Sequence, residues 1–275
     1  MSRSIAEQDM LAQEEIIVKM DAVQLAQTGA EIFCQAAGTS IARHGFFAVA
    51  LSGGSTPRAM HRLLARQPAV AQIRWTHTHI FWVDERMVPY DHPDSNFGAA
   101  QADFLTRVPI PPQNIHPMPV RGEPATEALR YQAELKAFFQ AAGRTAPVFD
   151  LIFLGIGVDG HTASLFPGQA PSARVDQWVR TAKGGKPDVW RLTLTYPAIN
   201  LAGHIVFLVS GEDKAPILEA VFGDRRAQLP AQKIRPSNGK LTWLLDQAAA
   251  RSHPKQPRKA NRHPSASITT GSKTS

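Results

Sequence analysis

Within the run "LGIGVDGH", Leu154 to His161, Asp159 and His161 stand two residues apart among three glycines spaced as G-x-G-x-x-G. After a strand-like run this spacing raises dinucleotide binding, in which glycines let the backbone approach a pyrophosphate seated on a helix N-terminus. That reading requires a helix after Gly160 and then a second strand ending in an acid. The next residues, "HTASLFPGQAP", contain Pro167, Gly168 and Pro171, which leave room for little more than one helical turn. Further on, "RTAKGGKP" offers no expected strand and no acid for a ribose. The dinucleotide reading is set aside. Asp159 and His161 remain as candidates for chemistry of their own, against the plainer role of a structural histidine.

A second segment, "SGGSTPR" from Ser52 to Arg58, reads as an anion cradle. Gly53 and Gly54 allow close backbone approach. Ser55 and Thr56 add hydroxyls, Thr56 fits an N-cap and Pro57 the first helical position, so helix N–H groups would point at the loop. The lysine and spacing of a P-loop are missing, so a single phosphate fits better than a nucleoside triphosphate. An ordinary strand-to-helix turn is the plainer alternative. Asp84, Glu85 and Arg86 form a charged cluster that, alone, would read as a surface ion-pair group. Lys214 in "SGEDKA" lies near an expected helix start, where a cation is mildly unfavourable unless an anionic partner is present. No pair has zinc-ligand spacing such as H-E-x-x-H, and no metal site is expected.

These residues need elements to bring them together. Asp21 is a plausible N-cap for a helix reaching about Arg43. "FFAVAL", "HIFWV", "FDLIFL" and "HIVFLV" are continuous apolar runs of the kind buried parallel strands show, with helical stretches such as Thr126 to Ala142 between them. The alternation predicts an α/β fold: an open, mostly parallel, Rossmann-like sheet with helices on both faces, in three layers. Ligands bind such sheets at the carboxyl ends of the strands. The four runs are followed by "SGGSTPR", "DERMVP", "GIGVDGH" and "SGEDKA", so successive strand ends deliver the candidate residues to one rim.

Composition narrows the class. The chain has 275 residues, 43% of them hydrophobic, enough for a full core. Residues 1–15 are expected to be a flexible extension without a signal peptide's apolar stretch, residues 16–250 a single α/β domain, and residues 251–275 a disordered basic tail. That tail carries six Lys or Arg and no acid, so of the net charge of +7 only one unit belongs to the body. The basic excess therefore does not argue for a specific nucleic-acid partner. No run approaches a membrane span. Cys34 is the only cysteine, which excludes an internal disulfide and suits a reducing cytoplasm.

Taken together, "LSGGSTPRAM", "FWVDERMVPYDHPDSNFG", "DLIFLGIGVDGHTASLFPG", "RLTLTYPAIN", "SGEDKAPILEAV" and "LPAQKIRPSNGKLTWLLDQAA" resemble the 6-phosphogluconolactonases, relatives of glucosamine-6-phosphate deaminase, over about Ile16 to Ala250. The resemblance implies a three-layer fold similar to that deaminase. It also implies cytoplasmic, metal- and cofactor-free hydrolysis of 6-phospho-D-glucono-1,5-lactone to 6-phosphogluconate, the second step of the oxidative pentose phosphate pathway. The partner it implies is a small phosphorylated sugar lactone, with no specific nucleic acid and no membrane; the oligomeric state stays open.

A lactone is a reactive ester, so a water activated by a positioned base, with donors for the developing oxyanion, suffices. His161 is the candidate base, since an imidazole titrates near neutrality, and either Asp159 or Asp84 would orient it. Carried over from the resemblance, Arg86 and Lys214 would hold the phosphate with the loop from Gly53 to Thr56, and Arg191 would serve the sugar end. The deaminase-isomerase branch resembles the chain as far as "DGH" but carries a glutamate five residues after the histidine, where this chain has Phe166. A non-enzymatic sugar-phosphate sensor is the other alternative; such regulators add a helix-turn-helix, for which the stretch before Ile16 has no room.

Overall fold

The structure is a computed structural model describing residues 13–169, 174–223 and 228–251. Among these residues ten strands follow in chain order: β1 (Gln13–Lys19), β2 (Phe47–Leu51), β3 (Thr78–Trp82), β4 (Asp84–Arg86), β5 (Ile115–His116), β6 (Leu151–Leu154), β7 (Val179–Gly184), β8 (Val189–Leu194), β9 (His204–Val209) and β10 (Lys240–Asp246). The helices that matter here are α1 (Ala22–His44), α2 (Ser55–Leu64), α3 (Ala69–Gln72), α4 (Asn96–Asp103), α5 (Pro124–Ala141), α6 (Tyr196–Asn200) and α7 (Ala215–Gly223).

Seven strands form one parallel sheet in the order β1-β10-β9-β6-β2-β3-β5. β2 is buried at all five positions, which is why "FAVAL" shows no alternation: both of its faces are covered. On one face Leu208 of β9 approaches Gly29 of α1, with Met60 of α2 beside it. On the other, Phe207 stacks on Trp243 of β10 at 4.0 Å between ring centroids, and Phe222 of α7 meets the same tryptophan edge-on. The rings of Phe138 and Phe139 on α5 cover Phe81 of β3. Full burial of such a side chain is worth about 1.5–3 kcal/mol, so the sheet's two apolar faces dominate the fold. α1 begins as expected: the Asp21 carboxylate accepts the N–H of Gln24 at 2.8 Å.

Four expectations are corrected. Gln13 to Glu15, expected in the flexible extension, open β1, which pairs in parallel with β10 from Gln13↔Lys240 to Lys19↔Asp246. Arg251, expected in the tail, forms an ion pair with Glu212; residues 1–12 and 252–275 lie outside the described residues. "RTAKG" is strand after all: β7 pairs antiparallel with β8 in a separate three-stranded sheet, β4-β8-β7. Its mixed polar pattern reflects a ribbon only partly covered, which lacks the apolar run of a central strand. Finally, α2 starts at Ser55 with Gly54 as N-cap and no side-chain cap, so Thr56 lies inside the first turn. Gly54 has φ +101°, and this turns the chain into the helix two residues earlier than a threonine cap at Thr56 would.

Candidate active site

A cavity of about 250 Å³ opens at the carboxyl ends of the central strands. Ser52 to Pro57 arrive from β2, Asp84 and Arg86 from the short strand beyond β3, Gly155 to Gly157 and His161 from β6, Ser210 and Lys214 from β9. Arg191 enters from β8, directly opposite Arg86 in the antiparallel register. Asn96 and Ala163 complete much of the remaining wall.

The segment after β6 folds back on itself. The N–H of Gly157 donates to the carbonyl of His161 at 2.9 Å, and the N–H of Gly160 to the carbonyl of Gly157 at 2.9 Å. The turn presents the His161 ring to the cavity with Asp159 behind it. Oδ1 of Asp159 accepts the backbone N–H of His161 at 3.1 Å and lies 2.5 Å from the ring's Nδ1. An ionised carboxylate only accepts, so Nδ1 carries a proton, and in the neutral ring the lone pair is then on Nε2. Burial alone would raise the Asp159 carboxyl, but the N–H and ring of His161 outweigh it and hold the group below its ordinary value.

Asp84 takes a different set of partners. Its Oδ2 accepts the Ser164 hydroxyl at 2.7 Å, and Oδ1 accepts the Asn96 amide at 3.3 Å. Of the two aspartates left open as partners of His161, Asp159 is thus the one that touches it. Phe166 is buried, with its ring 5.0 Å from that of His161 and 5.7 Å from the Arg191 guanidinium carbon.

Three cations, Arg86, Arg191 and Lys214, line the cavity. Arg86 donates through Nη1 to the Asp94 carbonyl at 2.7 Å and to Asn96 Oδ1 at 3.1 Å, while its buried Nε has no partner. Arg191 donates to the carbonyls of Gly184 at 2.9 Å and Pro187 at 3.2 Å. Burial, with Arg86 as neighbour, holds its guanidinium below the usual value. Lys214 pairs at 3.2 Å with the exposed carboxylate of Asp213. Ser55, Thr56 and Pro57 of the first turn of α2 line the same cavity, and N–H groups at a helix start lack intrahelical acceptors.

The sequence does not single out Asn96 or Ser164, and Glu85, read there within a possible surface ion-pair cluster, is fully buried. Ser95 ahead of "NFGAAQAD" marks a helix start, and its hydroxyl does accept the N–H of Gly98 at 3.0 Å, so Asn96 had a signal. Ser164 had none. Burial pushes the Glu85 carboxyl up to about 7, against the backbone N–H groups that favour its charged form. Among the described residues no group of His, Cys, Asp and Glu could hold a metal, and no helix is long and apolar enough to cross a membrane.

The chain is similar to known proteins. A 6-phosphogluconolactonase of Synechocystis is 46% identical over 215 residues, spanning 76% of this chain and 86% of that protein. One of Nostoc is 42% identical over 215 residues, spanning 77% and 86%. The solved 6-phosphogluconolactonase of Trypanosoma cruzi superimposes with a TM-score of 0.77 at 27% identity, over 89% of this chain and 98% of that one. A family model described as glucosamine-6-phosphate isomerases/6-phosphogluconolactonase matches residues 20–243, and with most of its length matched the chain belongs to that family.

Proposed function

We infer that the chain is a carboxylic ester hydrolase that opens 6-phospho-D-glucono-1,5-lactone to 6-phosphogluconate, the second step of the oxidative pentose phosphate pathway. The observation that carries this reading is the contact of Asp159 with His161 at the mouth of a cavity flanked by Arg86, Arg191 and Lys214. With Nδ1 held by Asp159, Nε2 of His161 takes a proton from water as the oxygen attacks C1 of the lactone. The carbonyl electrons move onto oxygen, then return as the ring C–O bond breaks. The imidazolium gives its proton to the departing ring oxygen, and the product acid ionises to the carboxylate. Asp159 stabilises the imidazolium in between.

The phosphate is assigned to Arg86, Lys214 and the N-terminus of α2 with Gly53 to Thr56, and the sugar end to Arg191. An activated ester attacked by general-base chemistry calls for no metal or cofactor. The lone Cys34 suits a reducing cytoplasm.

The isomerase alternative needs a second acid beside the histidine. Phe166 packs where such a group would help, which favours hydrolysis. The deciding assay follows 6-phosphogluconate release from fresh lactone with a coupled dehydrogenase, corrected for spontaneous opening. Acceleration is expected; its absence, or turnover of glucosamine 6-phosphate instead, rejects the reading.

A further inference from the structure

Glu85 is fully buried and lines no part of the cavity, although its neighbours on β4, Asp84 and Arg86, both do. A strand turns alternate side chains to opposite faces, so the residue between two that face a cavity points away from it. Behind the wall its carboxylate receives four hydrogen bonds. Oε1 accepts the N–H groups of Arg86 and Asn96, each at 2.8 Å. Oε2 accepts the N–H of Phe97 at 2.8 Å and the Ser95 hydroxyl at 3.1 Å. Asn96 and Phe97 open α4, where N–H groups lack intrahelical acceptors and a negative charge suits the helix dipole. One carboxylate therefore fastens the start of α4 to the backbone of β4.

The fastening fixes where the Asn96 amide lies. Its Nδ2 donates to the Asp84 carbonyl at 2.9 Å, and its Oδ1 accepts from Arg86 at 3.1 Å. On the other side it abuts the loop after β2, so closely that a β-carbon on Gly53 would sit 1.8 Å from Asn96 Oδ1. Three walls of the cavity meet at this amide.

We propose that Glu85 is a positioning residue for substrate binding: through the start of α4 and the Asn96 amide it holds Arg86 against the Gly53 loop at the separation an anionic substrate group requires. It touches neither substrate nor reacting atoms. The proposal rests on the reading above, in which Arg86 contacts the phosphate. Glutamine at this position keeps the shape but turns one oxygen into an NH₂ facing donors, so half of the clamp opposes itself.

A double-mutant cycle tests this. Glu85→Gln, Asn96→Ala and the pair are compared with the wild-type chain in kcat and KM for the lactone and in Kd for inorganic phosphate, well below the lowest Tm of the set. Glu85→Gln should raise KM and the phosphate Kd by roughly tenfold with kcat changed less than about threefold, and the pair should be no worse than about twofold beyond the weaker single variant, since both changes release the same arginine. Unchanged KM and Kd with only a lowered Tm would show that Glu85 serves the fold alone and overturn the proposal. Additive penalties, or no saturable phosphate binding by the wild-type chain, overturn it as well. If Glu85→Gln does not fold, Ser95→Ala removes a single one of the four bonds and should raise both constants about threefold; no rise overturns the proposal. A wild-type chain without lactonase activity would instead sink the functional reading, while the phosphate Kd would still decide the role of Glu85.

Discussion

The imidazole of His161 stands in the space that a β-carbon on Gly157 would need: its Cε1 and Nδ1 both lie 2.1 Å from that position, and Asp159 Oδ1 lies 2.7 Å from it. The glycine that imitates a dinucleotide fingerprint is there to let a histidine lie flat against the loop. Gly157→Ala should therefore displace the ring and lower kcat by roughly 10²-fold, the cost of a misplacement on the ångström scale. The far-ultraviolet circular dichroism and Tm should change little, because the loop is at the surface. A variant with normal kcat would show that the ring has another productive position.

Removal of the base tests its role directly. His161→Asn should reduce kcat by roughly 10²–10⁴-fold with KM retained. Asp159→Asn, which offers an amide where Nδ1–H needs an acceptor, should reduce kcat by roughly 10²–10³-fold, less than for a buried partner because Asp159 is 50% exposed and water can substitute. Asp84→Asn losing as much as Asp159→Asn would move the orienting role to Asp84.

Phosphate contacts predict a substrate-dependent penalty. Lys214→Ala and Arg86→Ala should each lower kcat/KM by roughly 10–150-fold on the phosphorylated lactone, as charge-assisted hydrogen bonds contribute about 1.5–3 kcal/mol. On unphosphorylated gluconolactone the same variants should match wild type. Equal losses on both substrates would place these cations at the carbonyl.

Acid should weaken the fold through histidines that are buried neutral. His61 is 4% exposed, and burial, with Asp103 opposing and Arg58 reinforcing, pushes its imidazole down to about 4. Burial likewise pushes His79 and His204 down to about 4. Unfolded, each takes its proton near 6.5, so between that pH and about 4 the unfolded chain binds more protons and stability falls as pH falls. His61 alone accounts for up to about 3 kcal/mol across that window. Urea midpoints measured from pH 7.5 to 4.5 should decline, and His61→Gln should flatten the decline. A pH-independent midpoint would contradict this assignment.

The central strands are legible in the sequence because both faces of a middle parallel strand are covered, which leaves uninterrupted runs such as "FAVAL". β1 is not legible in the same way: "QEEIIVK" mixes charges with apolar residues because it lies at the sheet edge, where Glu15 meets Lys240 at 2.6 Å. The cavity residues are legible wherever they follow an apolar run directly, as Gly53, Arg86, His161 and Lys214 do. Ser164 is not, since its meaning comes from Asp84, eighty residues away in the chain. Which aspartate meets His161 is equally invisible to spacing, because Asp159 and Asp84 are told apart only by what else holds each of them.

The pairing of β1 with β10 has a consequence for biosynthesis. The Glu15 carboxylate that caps this edge accepts the Thr242 hydroxyl at 2.9 Å across 227 positions of sequence. A nascent chain emerging from the ribosome makes β1 before every other described element, and the strand it must lie against is the last of them to be made. The outer edge of the sheet, with the slot that seats Trp243, can close only after translation has passed β10. Until then the exposed flank of β9 is the surface a chaperone would hold.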